Sequence, residues 1–439
     1  MKENSGADLW RKAKKIIPGG NQLLSKRSEQ FLPDYWPAYY RKAKGVEVWD
    51  LDNNHYIDMS IMGIGSCPLG YADPEVDAAV KTRIDNGSMC TLNTPEEIEL
   101  AEKLIRLHPW AEQVRYARCG GEAMAIAVRI ARAHTKKDTV AFCGYHGWHD
   151  WYLAANLADD RNLDGHLIPG LAPAGVPRGL KGTSIPFQYN NTDELAAIAD
   201  KQEGKLAAIV LEPIRDHEPS AGFLQAVQKI AKENDAVLIV DEVSSGFRLT
   251  TGGAHLLYGL KPEIAVFAKA MSNGYPMAAI IGKEEVMQSA QDTFISSTYW
   301  TEGIGPVAAL ATIEKYERCN VPDNLVRTGT AVQEGWKWAI AEKSGFDIEI
   351  GGIPPLSHFS IKGENGLLMQ TLYTQLMLER GFLAGKSFYA CYAHQNKQVQ
   401  SYLESTEDVF EQITKCLNNG TLSEMLKGPI AKLGFHRLT

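Results

Sequence analysis

The chain reads as an α/β protein with a mainly parallel sheet, followed by a smaller α+β region. Three observations predict this. Short apolar runs at Leu206–Leu211, Ala236–Val240 and Ile264–Ala268 each stop abruptly at a charged residue, as strands buried on both faces do. Helical periodicity lies between such runs, as at Gly222–Glu233, and strand–helix–strand alternation implies parallel pairing. From about Pro322 onward helices mix with short strands instead, which places a domain boundary there. The expected division is 1–58, an N-terminal segment joining the small domain; 59–321, the large domain; and 322–439, the C-terminal small domain.

The composition is that of an ordinary globular protein: 439 residues, 44% hydrophobic and 22% charged. A net charge of −8 gives no reason to expect nucleic acid or an anionic membrane as a partner. Seven cysteines without paired spacing suit free thiols in a reducing cytosol, so a cytoplasmic location is expected. No run of eighteen apolar residues occurs, so no membrane span is expected, and Met1–Gly20 lacks the continuous apolar core of a signal peptide.

Taken in order, Ala7–Ile17 has helical spacing and stops at Pro18-Gly19-Gly20. The segment GVEVWDLDNNHYIDM reads as two strands around a turn at Asp52-Asn53-Asn54. Pro74–Ile84 and Thr94–His108 read as helices, the second opening on Thr-Pro-Glu-Glu. Cys119-Gly120-Gly121-Glu122 precedes a helix whose face carries Ala123, Ile126, Ala127, Ile130 and Ala131. Paired glycines there expose backbone N–H groups at the positive end of a helix dipole, which suits a phosphate; a plain tight turn has the same signature. Asp138–Phe142 is a strand running into Gly144-Tyr145-His146-Gly147-Trp148-His149-Asp150. Two histidines and an acid invite a zinc reading, but the helical spacing and a cysteine pair are lacking. An aromatic at a strand end can instead stack on a planar ring. Leu153–Thr183 reads as a mobile loop or lid. Beyond Pro322, helices are expected at Asn324–Glu342, Leu367–Arg380, Glu407–Leu417 and Thr421–Leu433, with short strands at Phe346–Ile350 and Pro355–Ile361.

Ala236–Ala279 carries the chemistry. One apolar run ends on Asp241-Glu242, and the next ends on Lys269 within Val-Phe-Ala-Lys-Ala-Met. Ligands of open α/β sheets bind beyond the carboxyl ends of the strands. A desolvated lysine there is a nucleophilic amine, and an acid facing a pyridine nitrogen keeps it protonated. Pyridoxal phosphate needs this pair of groups. An Asp-Glu pair holding magnesium is the competing reading, weakened by the absence of a GxxxxGK[ST] loop. A lysine that merely snorkels is another.

Together the motifs resemble class III aminotransferases, and most closely the glutamate-1-semialdehyde 2,1-aminomutase-like branch. They run from IPGG at Ile17–Gly20 through VEVWDLDNNHYIDM, the glycine pair, GYHGWHD, VLEP and VDEVSSGFR to FAKAMSNGYP, with Lys269 following Asp241 by 28 residues. The resemblance implies fold type I, with a seven-stranded, mainly parallel sheet in the large domain. It implies pyridoxal 5'-phosphate as cofactor, exchanged with its amine form, an amino donor and a carbonyl acceptor as substrates, and a homodimer with shared sites. Carried over residue by residue, Lys269 forms the Schiff base and Asp241 pairs with the ring nitrogen. Val243 packs on one ring face and Tyr145 stacks on the other. Gly120 and Gly121 bind the phosphate, Thr298 reaches the neighbouring subunit's phosphate, and Glu212 supports the site.

The departures bear on the substrate. The family's Ser-Gly-Thr before the phosphate helix is Cys119-Gly120-Gly121, so two hydroxyl donors are missing. The aminomutase's serine and arginine after IPGG correspond, shifted by about one residue, to Ser25 and Arg27. Its Phe-Glu-Ala near the C-terminus is Phe388-Tyr389-Ala390 here. The expectation is therefore an intermolecular transaminase acting on another substrate, such as a small sugar-derived or phosphorylated carbonyl. The aminomutase reaction is the alternative. Decarboxylation, racemisation and a non-catalytic binding protein stand further off.

Overall fold

The computed structural model describes residues 4–166 and 168–435. It divides into two compact units: Pro74–Pro322, and the described residues on either side of it.

The Pro74–Pro322 unit is built on a seven-stranded sheet. Its strands are β1 (Gln113–Ala117), β2 (Thr139–Cys143), β3 (Ser184–Pro186), β4 (Leu206–Leu211), β5 (Val237–Asp241), β6 (Ile264–Phe267) and β7 (Ala278–Gly282), in the order β1-β7-β6-β5-β4-β2-β3. Strands β6, β5, β4, β2 and β3 run parallel to one another, and β7 is antiparallel to both β1 and β6. This is the α/β, fold type I arrangement that the sequence led us to expect. Every residue of β2, β4, β5, β6 and β7 is buried, which is why those strands read as unbroken apolar runs. Helix α1 (Gly120–Thr135) lays Ala123, Ile126, Ala127, Ile130 and Ala131 against Val140, Val210, Ile239, Val266 and Ile280 in one core. Each isoleucine so buried contributes roughly 1.5–3 kcal/mol.

Three strands escaped the sequence reading. Strand β1 is an edge strand whose Arg115 and Tyr116 are only half-buried, so it shows no apolar run. Strand β3 has three residues. Strand β7 is apolar, but only its pairing between β6 and β1 marks it as a strand. The segment read as a loop or lid, Leu153–Thr183, has regular structure mainly at its start. Leu153 closes a short helix, Asp150–Leu153, and a 3-10 turn follows at Ala154–Leu157. Tyr152, Ala154, Ala155 and Leu163 there are fully buried, and the Asn156 side chain bonds Leu171 O and Leu163 N–H.

The other unit holds a four-stranded sheet, Tyr40–Lys44, Glu47–Asp50, His55–Asp58 and Phe382–Leu383, and a three-stranded one, Ile348–Gly351, Leu356–Ile361 and Ser387–Tyr389. Its core centres on buried Trp336, whose indole N–H donates to the Tyr402 hydroxyl at 2.8 Å; Tyr373 donates to the same hydroxyl at 2.8 Å. Residues 59–73 group with this unit, unlike the expected division at 58/59. Gly45 and Tyr71 exchange backbone hydrogen bonds of 2.7 Å, Tyr71 donates to Asp58 at 2.6 Å, and Met62 packs on Val46 and Cys391. The expected terminal helix pair is instead one long helix, Asn396–Asn418, and a single turn at Leu422–Met425. The helix expected at Asn324–Glu342 spans Val321–Trp336 and continues as a π-helical turn, Lys337–Lys343.

Candidate active site

Four neighbouring parallel strands deliver their carboxyl ends to one edge of the sheet. Strand β6 leads into Lys269, β5 ends on Asp241, β4 into Glu212, and β2 into Tyr145. Side chains more than a hundred residues apart in sequence thus converge at the position where open α/β sheets bind ligands.

Lys269 begins a 3-10 turn with φ +47°, a left-handed conformation rare for a residue with a side chain. Such strain persists only where the surroundings enforce it. Its Nζ donates to Ser244 Oγ at 2.8 Å. Burial pulls the ammonium down from 10.5 to about 8; the Arg215 charge pushes the same way, and Glu212 and Asp241 oppose it. The amine is therefore available near neutral pH, as a Schiff-base lysine requires.

Asp241 is 3% exposed. Its Oδ1 accepts the Val243 N–H at 2.9 Å, and its Oδ2 lies 2.7 Å from His146 Nδ1. His146 Nε2 lies 3.1 Å from the Cys143 carbonyl. Both ring nitrogens thus lie within hydrogen-bond reach of acceptors. His146 is the functional residue that sequence reasoning missed. It stood inside GYHGWHD and was weighed only as a zinc ligand. Among the described residues no group of three His, Cys, Asp or Glu side chains is arranged to hold a metal.

Glu212, 6% exposed, accepts Arg215 Nη1 at 2.9 and 3.1 Å on its two oxygens, and the Tyr145 N–H at 3.2 Å on Oε2. Arg215 is a second residue the sequence did not single out; it stands three positions past the glutamate. Tyr145 meets Tyr152 edge-on at 5.8 Å.

Gly120 and Gly121 open α1. A Cβ at Gly120 would stand 2.6 Å from Val243 Cγ1. Only glycine lets the start of this helix approach the end of β5 so closely. Glu122 caps the turn by accepting the Arg118 N–H at 2.9 Å. The residues fit pyridoxal phosphate. The lowered amine suits the aldehyde and the buried carboxylate suits the ring nitrogen. The helix N-terminus suits the phosphate, and beside it His149 Nδ1 is buried with no hydrogen-bond partner among the described residues.

Thr298 lies in an exposed 3-10 turn, Thr298–Thr301, with its carbonyl accepting the Thr301 hydroxyl at 3.1 Å. Ser25, Arg27 and Tyr389 belong to the other unit. Ser25 sits in a 3-10 turn at Leu24–Lys26, and the Arg27 guanidinium lies over Gly19. Tyr389 is half-buried against Val46, Met62 and Cys391, and its N–H donates to Ser60 O at 2.6 Å.

The family model described as aminotransferase class-III matches residues 32–346. The 3-aminobutyryl-CoA aminotransferase of Cloacimonas acidaminovorans (strain Evry) is 33% identical, over 93% of this chain and 97% of that protein. The glutamate-1-semialdehyde 2,1-aminomutase of Polynucleobacter asymbioticus is 31% identical, over 94% and 99%. Among solved structures, the FumI protein of Sphingopyxis sp. MTA144 superposes with a TM-score of 0.84 at 23% identity, covering 95% of this chain and 98% of that one. An omega-transaminase from Sphaerobacter thermophilus gives 0.82 at 22% identity, covering 93% and 97%. No described helix is long and apolar enough to cross a membrane. The chain belongs to the class III aminotransferases, pyridoxal-phosphate-dependent enzymes that move an amino group from a donor to a carbonyl acceptor.

Proposed function

We propose that Lys269 is the catalytic lysine of an intermolecular transamination and that Asp241, positioned by His146, is its electrostatic partner. The observation that carries this is the pairing of a lysine amine lowered to about 8 with a buried acid on the adjacent parallel strand. The bound cofactor supplies an aldehyde for amine exchange and a ring that takes up the electron pair released at the substrate's Cα. Lys269 would hold the cofactor through its amine and, when free, would serve as the base and acid that moves the substrate's Cα proton. Asp241 holds a proton at the ring nitrogen. Val243 and Tyr145 would hold the ring and Gly120 and Gly121 the phosphate, and Glu212 fixes the Tyr145 backbone. Lys269→Ala tests the central assignment: borohydride should then fix no cofactor to the protein, and turnover should vanish. A mutant that keeps both refutes it.

The substrate is proposed to differ from glutamate-1-semialdehyde. Tyr389 replaces a charged carboxylate by a neutral phenol, and a site whose polar partners change rejects the original substrate; Ser25 and Arg27 are the other substrate-binding candidates. A homodimer is proposed from the exposed aromatic surface of the large unit. Trp148 and Phe294 are 70% and 84% exposed and line, with Trp300, a groove of about 580 Å³, and apolar patches of this kind mark interaction sites. Exposed Thr298 would reach the neighbouring subunit's phosphate. Lys269→Ala and Thr298→Ala chains, each inactive alone, should recover part of the activity when refolded together; a fully active Thr298→Ala enzyme removes the shared site. A cytoplasmic location is supported by seven cysteines without paired spacing.

A further inference from the structure

The phosphate cradle is where this chain departs from its family's pattern, with glycine at position 121 in place of a hydroxyl donor. A Cβ at Gly121 would stand 3.3 Å from His149 Nδ1 and 3.5 Å from its Cε1. The imidazole therefore crowds the volume that a threonine side chain would take. Gly147 brings it there. Its φ is +107°, and its own Cβ would lie 2.9 Å from the Gly121 Cα. Two glycines are needed for these backbones to meet. Trp148 stacks on the imidazole at 4.3 Å between ring centres and 28° between planes. The ring is thus held against the first turn of α1, at the positive end of the helix dipole. The Nδ1 atom facing that turn is buried and has no partner among the described residues. Buried polar atoms in folded proteins are nearly always satisfied, by protein, water or ligand. Here the ligand due at this place is the cofactor's phosphate.

We propose that His149 is a phosphate ligand of the cofactor, its Nδ1–H donating in place of the absent threonine hydroxyl, with Gly121 small because the imidazole needs the room. This rests on the site being the pyridoxal phosphate site read above. The test titrates the apoprotein with pyridoxal phosphate and, separately, with pyridoxal, following the lysine-bound aldehyde by absorbance and total binding by calorimetry. His149→Ala should weaken pyridoxal phosphate by at least about tenfold, the size of a lost charge-assisted hydrogen bond, and leave pyridoxal within about twofold. His149→Phe keeps the ring volume and the stack on Trp148 but has no N–H, and should show the same selective loss. Gly121→Thr added to His149→Ala should restore most of the affinity. The ³¹P signal of the bound phosphate should move in both single variants. Unchanged affinity for pyridoxal phosphate, or an equal loss for both aldehydes, overturns the proposal. Peptide mapping after borohydride reduction tests Lys269 independently: a cofactor fixed elsewhere defeats the reading of the site, whatever the two titrations show.

Discussion

Lys269 should titrate far below an ordinary lysine, and its neighbours set by how much. With the amine at about 8 rather than 10.5, about a tenth of it is neutral at pH 7, against roughly 0.03% for an unperturbed lysine. That is about a 300-fold gain in nucleophile before any orientation is counted. The assay is Schiff-base formation by the apoprotein with pyridoxal, trapped by borohydride as a function of pH. Because the shift is downward, the rate should rise with pH through a midpoint near 8 and level off above it. Arg215→Gln removes a cation that opposes the ammonium while Glu212 and Asp241 remain, so the midpoint should climb. Ser244→Ala removes the oxygen that accepts from Nζ at 2.8 Å. The ammonium loses more than the amine, since the charge-assisted bond is the stronger one, and the midpoint should fall. A wild-type midpoint near 10.5, or one that Arg215→Gln leaves in place, would refute the account of burial and local charge.

Asp241→Asn should lower turnover on the order of 10²-fold, about 3 kcal/mol of barrier, since a neutral amide cannot keep the ring nitrogen protonated; a loss below about threefold would rule this role out. His146→Leu strips Asp241 of a buried, charge-assisted bond worth about 1.5–3 kcal/mol. It should cost about ten- to hundredfold in the half-reaction rate and little in the Asp241→Asn background; equal losses in both backgrounds would mean that His146 acts elsewhere. Gly120→Ala should force Val243 aside at a cost of about 1–3 kcal/mol, seen as weaker cofactor binding; wild-type affinity would show that the helix start has room to give. Purified enzyme given glutamate-1-semialdehyde without an amino donor should form little 5-aminolevulinate, and efficient conversion would identify it as the aminomutase.

The sequence alone was enough to set the fold class, because strands buried on both faces must be apolar throughout and helices between them must be striped. It also singled out Lys269 and Asp241 as candidates, since their charges interrupt apolar runs where a strand must end. Gly120, Gly121, Tyr145, Val243 and Glu212 needed the family resemblance as well, since a glycine pair or a strand-end aromatic has ordinary uses too. What only the tertiary structure decided is which of these ends lie side by side. His146 looks the same in the sequence whether it binds metal, packs, or holds Asp241, 95 residues away. The choice is made when β2 and β5 are placed in one sheet. The same holds for His149, whose meaning depends on a glycine 28 positions earlier. It holds too for Arg215, whose role follows from a glutamate one turn before it and from a lysine two strands across the sheet. Local pattern records how each segment buries itself; the electrostatics of the site arise between segments, at distances along the chain that no periodicity encodes.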